Sequence, residues 1–309
     1  MNEKYTVLVT GGAGNVGSAF AEFLKEKGHT AIVADNFSTG KKENISRLDT
    51  RLVFNVNVNH LAEIEHVFKN NKIDFVFHYA AVVGVKRTLN NPLLVFDDIK
   101  GIENILNLSV KFGVKRVFYA SSSEVYGEPF EIPQNEDTTP LNSRLPYAIV
   151  KNLGEAYFRT FKREYNLDYT IFRFFNTYGE HQSTDFVIPL FLEKALQQMP
   201  IEIYGDGSQT RTFCYIKDNV EAAYNAMVND AFVNDVINIG NDTELSVRDL
   251  AETIIKITGS KSPIVHVPAL DEGDMTRRKP DISKMKTLLK RELTTLEDGL
   301  QILIKNYSK

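Results

Sequence analysis

Residues 9–18 read VTGGAGNVGS, at the end of the strand-like run TVLVT (6–10) and at the head of a segment with helical period over 15–27. Gly11 and Gly12 permit a tight turn, Gly14 lets a backbone approach a pyrophosphate, and Gly17 allows helix and strand to pack closely, with phosphates on the helix N-terminus. A glycine-rich turn alone is a weak signal. Here it follows a strand, precedes a helix, and is succeeded by Asp35 at the end of a second strand-like run, TAIVAD (30–35), which is the context a dinucleotide fingerprint requires. Asn15 and Val16 beside the glycines and Asn36 beside Asp35 join the candidate cofactor contacts.

A carboxylate at position 35 accepts hydrogen bonds from an adenosine ribose diol and repels a 2′-phosphate, so NAD is expected rather than NADP. Lys41 and Lys42 in the next loop are read as solvated. HYAA (78–81) ends another strand at the same edge, where Ala80 and Ala81 leave room for a ribose. His78 is read as a core histidine.

Working outward, short β-branched runs alternate with helical segments: helix near 60–70, DFVFHYAA (74–81), helix 98–112, RVFYASS (116–122), a helix of about five turns beginning near PYAIVK, and DYTIFRFF (168–175). This alternation predicts an α/β fold of Rossmann type, a doubly wound parallel sheet covered on both faces. After about residue 180 the chain becomes loop-rich and polar, with shorter helices near 187–198, 218–228, 246–258 and 283–290. The expected organisation is a dinucleotide-binding domain over 1–180 that carries the catalytic residues, and a smaller substrate-binding lobe over 181–309 interleaved with it.

The 309 residues are 43% hydrophobic with a net charge of −4, enough for a large core and without the basic stripe of a nucleic-acid binder. There is no secretory signal pattern and no apolar run of membrane-spanning length, so a cytoplasmic protein without membrane association is expected. The single cysteine, Cys214, excludes an intrachain disulfide and a multi-cysteine metal site, and no metal is expected.

Reactive groups cluster in two stretches. SSSEVYG (121–127) closes a buried strand with three hydroxyls and a carboxylate. Downstream, Tyr147 and Lys151 in PYAIVK share one helical face, and an ammonium there is expected to lower a phenol from its usual pKa of about 10 toward that of a general base.

With GGAGNVG, DNFSTG, HYAA, SSSEVYG, YAIVK, RFFNTYG, YGDGSQTR and RRKPDI in order along essentially the whole chain, the sequence resembles the extended short-chain dehydrogenase/reductases that act as NAD-dependent nucleotide-sugar epimerases and dehydratases. The resemblance implies that Tyr147 takes the sugar 4-hydroxyl proton, that Lys151 supports it, and that Ser122 hydrogen-bonds the same oxygen. A ketone at C4 makes the C5 proton acidic, and Glu124 stands where dehydratase members carry a glutamate that acts there. Its neighbour departs from the pattern: 4,6-dehydratases carry an aspartic acid where this chain has Ser123. The Ser123–Glu124 pair, YGDGSQTR and the arginine before KPDI, Arg278, resemble UDP-glucuronate decarboxylases, whereas VVGVKRTLNNP after HYAA does not.

The resemblance further implies that Asn176, Arg211 and Arg278 contact the diphosphate or ribose of a UDP-linked substrate, with Lys86 as a further contact, and that the chain forms a homodimer through the Tyr147 helix. Dehydration of a UDP-hexose or UDP-N-acetylhexosamine is the first expectation, with decarboxylation of UDP-glucuronate and 4-epimerisation as alternatives. A purely structural Glu124 would pair with Lys86 or Arg87. A non-catalytic NAD sensor is the alternative of a different class, and an intact Ser122, Tyr147 and Lys151 set argues against it.

Overall fold

The computed structural model describes residues 3–84, 87–88, 91–269 and 276–307. Lys86 lies outside them.

Strands β1 (Thr6–Thr10), β2 (Thr30–Asp35), β3 (Val53–Asn55), β4 (Phe75–His78), β5 (Arg116–Ser122) and β6 (Asp168–Phe174) alternate with helices. Short strands β7 (Thr177–Tyr178), β8 (Ile201–Tyr204), β9 (Thr210–Thr212) and β10 (Cys214–Tyr215) follow, before β11 (Asp235–Ile239) returns to the main sheet beside β6. The sheet is parallel in the order β11-β6-β5-β4-β1-β2-β3, seven strands among the described residues. Later strands β12 (Glu244–Ser246), β13 (Ile264–Val267) and β14 (Arg277–Arg278) build small sheets with β9 and β8.

Both faces of the sheet are covered, as an all-parallel sheet requires. Along β1 the side chains alternate: Val7 and Val9 enter one core with Phe20 and Leu24, while Leu8 enters the other with Ile64, Val76 and Ile105. The first core continues into the later helices through Ile216, Leu250 and Leu300, which binds the irregular half of the chain to the sheet. Cys214 is fully buried there, and burial raises its thiol well above the ordinary value.

The order reverses at β1, whose neighbours are β2 on one side and β4 on the other. At such a switch point the loops leaving the carboxyl ends diverge and open a crevice, the usual ligand site of a doubly wound sheet. Thr10, Asp35, His78 and Ser122 all end strands at this edge.

Candidate active site

A cleft of about 1050 Å³ opens along the carboxyl edge, roomy enough for a dinucleotide and a second ligand. At one end the turn after β1 forms the floor. Gly11 has φ +65°, and a Cβ on it would lie 2.7 Å from the Ala80 backbone nitrogen, so only glycine lets the turn close onto the end of β4. A Cβ on Gly17 would overlap the Gly11 carbonyl oxygen, so this glycine is spent on packing the helix Asn15–Glu26 against its own turn rather than against the strand. Gly14 is open to the cleft: a Cβ there would meet only the Gly11 oxygen, at 3.3 Å.

This end fits a dinucleotide on three observations. Gly14 caps the helix without a side-chain bond, leaving the amides and positive end of the first turn available for a pyrophosphate. The buried Asn15 amide oxygen has no partner. Asp35, 7% exposed, is held in place by the amides of Ala13 (2.9 Å) and Phe37 (2.7 Å), which aim a carboxylate at the position of a ribose diol. Val16, Asn36, Ala80 and Ala81 line the same region. His78 is buried on Thr10 at 2.8 Å, and burial and then the nearby Lys151 charge drive its pKa down to about 3, a neutral core histidine.

The reactive groups stand at the other end. Ser122 closes β5 and its Oγ accepts the Glu124 amide at 3.2 Å, leaving its O–H to donate elsewhere. Helix Pro146–Tyr165, started by a proline at its first turn, presents Tyr147 and Lys151 to the cleft. Lys151 is 5% exposed and its Nζ donates to the Ala120 carbonyl at 2.7 Å. Burial lowers its pKa to about 8.

The expected lowering of the phenol is not what this geometry gives. Burial raises Tyr147 above its ordinary value against the opposing Ser122 hydrogen bond, Glu124 and Asp98 push the same way as burial, and Arg278 favours the phenolate least. The ammonium lies 5.7 Å from the Tyr147 ring centre, engaged with a carbonyl, so the resting phenol is protonated.

Arg87 is not among the described partners of the Glu124 carboxylate, and Lys86 lies outside the described residues. The Glu124 Oε1 lies 2.9 Å from Arg278, which is 5% exposed and reaches across from β14, and Ser123 Oγ lies 3.4 Å from the same guanidinium. Its Oε2 is buried and without a hydrogen-bond partner. Arg87 instead stands 3.6 Å from Asp185. Asn176 and Arg211 line the cleft, donating to the Thr212 carbonyl (2.9 Å) and the Thr210 carbonyl (2.7 Å). Arg278, assigned by the resemblance to phosphate or ribose, stands against the Glu124 carboxylate.

Sequence reasoning missed two groups. Asp98 lines the cleft near Lys151, yet an acidic residue at the start of a helix reads as ordinary end chemistry. The helix Leu296–Tyr307 contributes Leu303 and Asn306 to the cleft wall, and only its apolar spacing signalled that it exists.

Known proteins share this chain's sequence and fold at length. The chain is 38% identical over 303 residues to the UDP-N-acetyl-alpha-D-glucosaminuronate decarboxylase of Bacillus cytotoxicus, covering 92% of each. It superposes on the UDP-glucose 4-epimerase of Thermotoga maritima solved with UDP-glucose, with TM-score 0.93, 33% identity and 98% of each chain covered. The Thermus thermophilus UDP-glucose 4-epimerase in complex with NAD matches with TM-score 0.91 and 27% identity over 98% of this chain and 99% of that one. The family model described as NAD dependent epimerase/dehydratase matches residues 7–240. A glycine turn, an Asp35 ribose seat and a Ser122, Tyr147, Lys151 set on one cleft are thus explained together: the chain belongs to the NAD-dependent epimerase/dehydratase family, and its dinucleotide is NAD.

Proposed function

We propose that the protein decarboxylates a UDP-linked hexuronate through a transient ketone at C4. The carrying observation is the Glu124–Arg278 pair at 2.9 Å with Ser123 beside it. A lone Glu124 would repel a sugar that bears a carboxylate at C5. Arg278 offsets that charge and makes the wall hospitable to it. The activity printed for the Bacillus cytotoxicus relative supports the same choice.

NAD, when bound on the Gly11–Gly17 turn and Asp35, supplies a reversible hydride acceptor for C4. Tyr147 and Ser122 hold the C4 oxygen; Tyr147, protonated at rest, first gives up its phenol proton to solvent, the Lys151 ammonium stabilises the phenolate so formed, and that phenolate takes the C4 hydroxyl proton. Once C4 is a carbonyl, the C5 carboxylate belongs to a β-keto acid. Its C–C bond electrons move toward the C4 oxygen as carbon dioxide leaves, and the Ser122 and Tyr147 hydroxyls stabilise the oxyanion. The enolate then takes a solvent-derived proton at C5 from the Glu124 wall, and the C4 ketone regains its hydride as Tyr147 returns the proton to the C4 oxygen, which restores the alcohol. Asn176 and Arg211 are the proposed contacts for the diphosphate, and Lys86 remains a sequence-based candidate.

A second reading rests on the unpartnered Glu124 Oε2. With a C6 hydroxyl in place of the carboxylate, Glu124 would remove the C5 proton and water would leave, the dehydration that the sequence ranks first. The protein is further inferred to be cytoplasmic; among the described residues no helix is long and apolar enough to cross a membrane. Ile149 and Leu153 on the Tyr147 helix are 45% and 38% exposed beside Leu93 and Leu94 of the packed helix Pro92–Phe96, an apolar face suited to a second copy of the chain.

Purified protein offered UDP-glucuronate, its N-acetylated 2-amino analogue, UDP-glucose and UDP-N-acetylglucosamine with NAD tests the reading. Carbon dioxide release from a hexuronate, reduced by about a thousandfold in Tyr147→Phe, is the expected outcome. Turnover of the neutral sugars alone overturns it.

A further inference from the structure

Strand β14 has two residues and pairs with β9 in parallel register, Arg277 beside Thr210 and Arg278 beside Arg211. Successive side chains of a strand leave on opposite faces. Arg278 therefore shares the inner face with Arg211, both buried and both lining the cleft, while Arg277 is half exposed on the outer face. Like charges side by side on neighbouring strands repel, and so short a strand has few backbone bonds to resist them.

The outer face supplies the restraint. Glu244 stands on β12, on the far side of β9, in register with Thr212. Its carboxylate reaches across β9 to Arg277: Oε1 accepts from Nε at 2.8 Å and Oε2 from Nη2 at 2.7 Å, and Oε1 also accepts the Thr210 hydroxyl at 2.5 Å. A two-pronged contact of this kind fixes direction as well as distance. One side chain thus ties together all three strands of the β12-β9-β14 sheet. The chain beyond β14 is anchored separately, by the Gln134 amide on the Lys279 carbonyl at 2.7 Å and the Asp281 amide on the Gln134 carbonyl at 2.8 Å.

We propose that Glu244 is a positioning residue: by clamping Arg277 on the outer face it sets the approach of β14 to β9 and so holds Arg278 against Glu124 at the cleft wall. The inference rests on the reading of the Glu124–Arg278 pair as the wall that receives the sugar. With the clamp open, Arg278 drifts from Glu124 and leaves that carboxylate uncompensated toward a C5 carboxylate. The released Arg277 stays solvated, and the backbone bonds beyond β14 stay in place, so the fold survives the change.

Glu244→Gln, Arg277→Gln and the double variant, each loaded with NAD, form the test. Each single change should lower kcat/KM for a UDP-hexuronate about fivefold, and the double variant should fall no further, because both singles remove the same contact. Hydrogen exchange over residues 276–278 should quicken about fivefold in all three. The Kd of UDP, which lacks the sugar, should not change. Losses that multiply in the double variant, or turnover equal to the wild type whether or not exchange quickens, overturn the proposal. Equal weakening of UDP and the UDP-hexuronate also overturns it, as the mark of a general disturbance of the cleft. If the wild type turns over only neutral UDP-sugars, decarboxylation alone fails, and the same cycle measured on that sugar decides the clamp.

Discussion

The end of β5 carries two Glu–Arg pairs that look alike in composition and differ in completeness. Glu155, fully buried on the Tyr147 helix, has both oxygens occupied: Oε1 accepts from Ser121 (2.7 Å) and Arg173 Nε (2.9 Å), Oε2 from Arg173 (2.7 Å) and Arg159 (3.0 Å). Arg173 passes the network on to Tyr126 (2.8 Å), and Tyr126 to Asn238 on β11 (2.7 Å). Glu124, three residues beyond Ser121, has one oxygen on Arg278 and the other buried with none. A closed network fixes geometry, whereas a buried acceptor left open is costly in the free protein and worth keeping only if substrate completes it. Ser121 belongs to the first pair and Ser123, two residues on, to the second.

Mutations should separate the two pairs by what they damage. The largest effect is expected for Glu155→Gln, which strands the buried Arg173 charge and should cost about 3 kcal/mol of unfolding free energy, measured by denaturant titration. Burial alone would raise Glu155, yet the bonds and charge of Arg173, with Ser121 and Arg159, bring its carboxyl below the ordinary value. A depressed carboxylate contributes stability above its unfolded pKa of about 4.3 that is lost as pH falls through the lower folded value. The wild type should therefore lose stability on acidification more steeply than Glu155→Gln. Equal acid profiles would show that the closed pair is not the structural one.

Glu124→Gln should do the reverse, lowering kcat about a hundredfold while unfolding within about 1 kcal/mol of the wild type. The smallest contrast lies in the serines. Ser121→Ala should cost about 1.5 kcal/mol of stability through its bond to a charged group, and Ser123→Ala should be felt only as a few-fold loss of turnover. If Ser123→Ala destabilises the fold more than Ser121→Ala, the division between the pairs fails.

What the sequence disclosed and withheld follows the same line. The glycine turn, Asp35 and the strands β1, β2, β4, β5 and β6 are local features, each marked by residues within a few positions, and these strands stand where the periodicity puts them, whereas the three-residue β3 went unread. Tyr147 and Lys151 were legible as an i, i+4 pair, but spacing says nothing of desolvation, which here holds the phenol above its ordinary value. The Glu124–Arg278 contact joins segments from opposite ends of the chain through β14, a strand of two residues. Its partner could not be read from local pattern, and Lys86 and Arg87, nearer in sequence, entered only as partners of a purely structural Glu124. β11 hid for a similar reason, since its five residues gain meaning only by lying beside β6. Asp98 was masked by the ordinary preference for acids at helix starts.

The most direct measurement is the mass of the product formed from a UDP-hexuronate in deuterated water with NAD present. Decarboxylation at the Glu124–Arg278 wall predicts loss of carbon dioxide with one deuterium retained at C5. Unchanged mass without C5 deuterium, the mark of a 4-epimerase, or loss of water from a neutral UDP-sugar with no attack on the hexuronate, would contradict it.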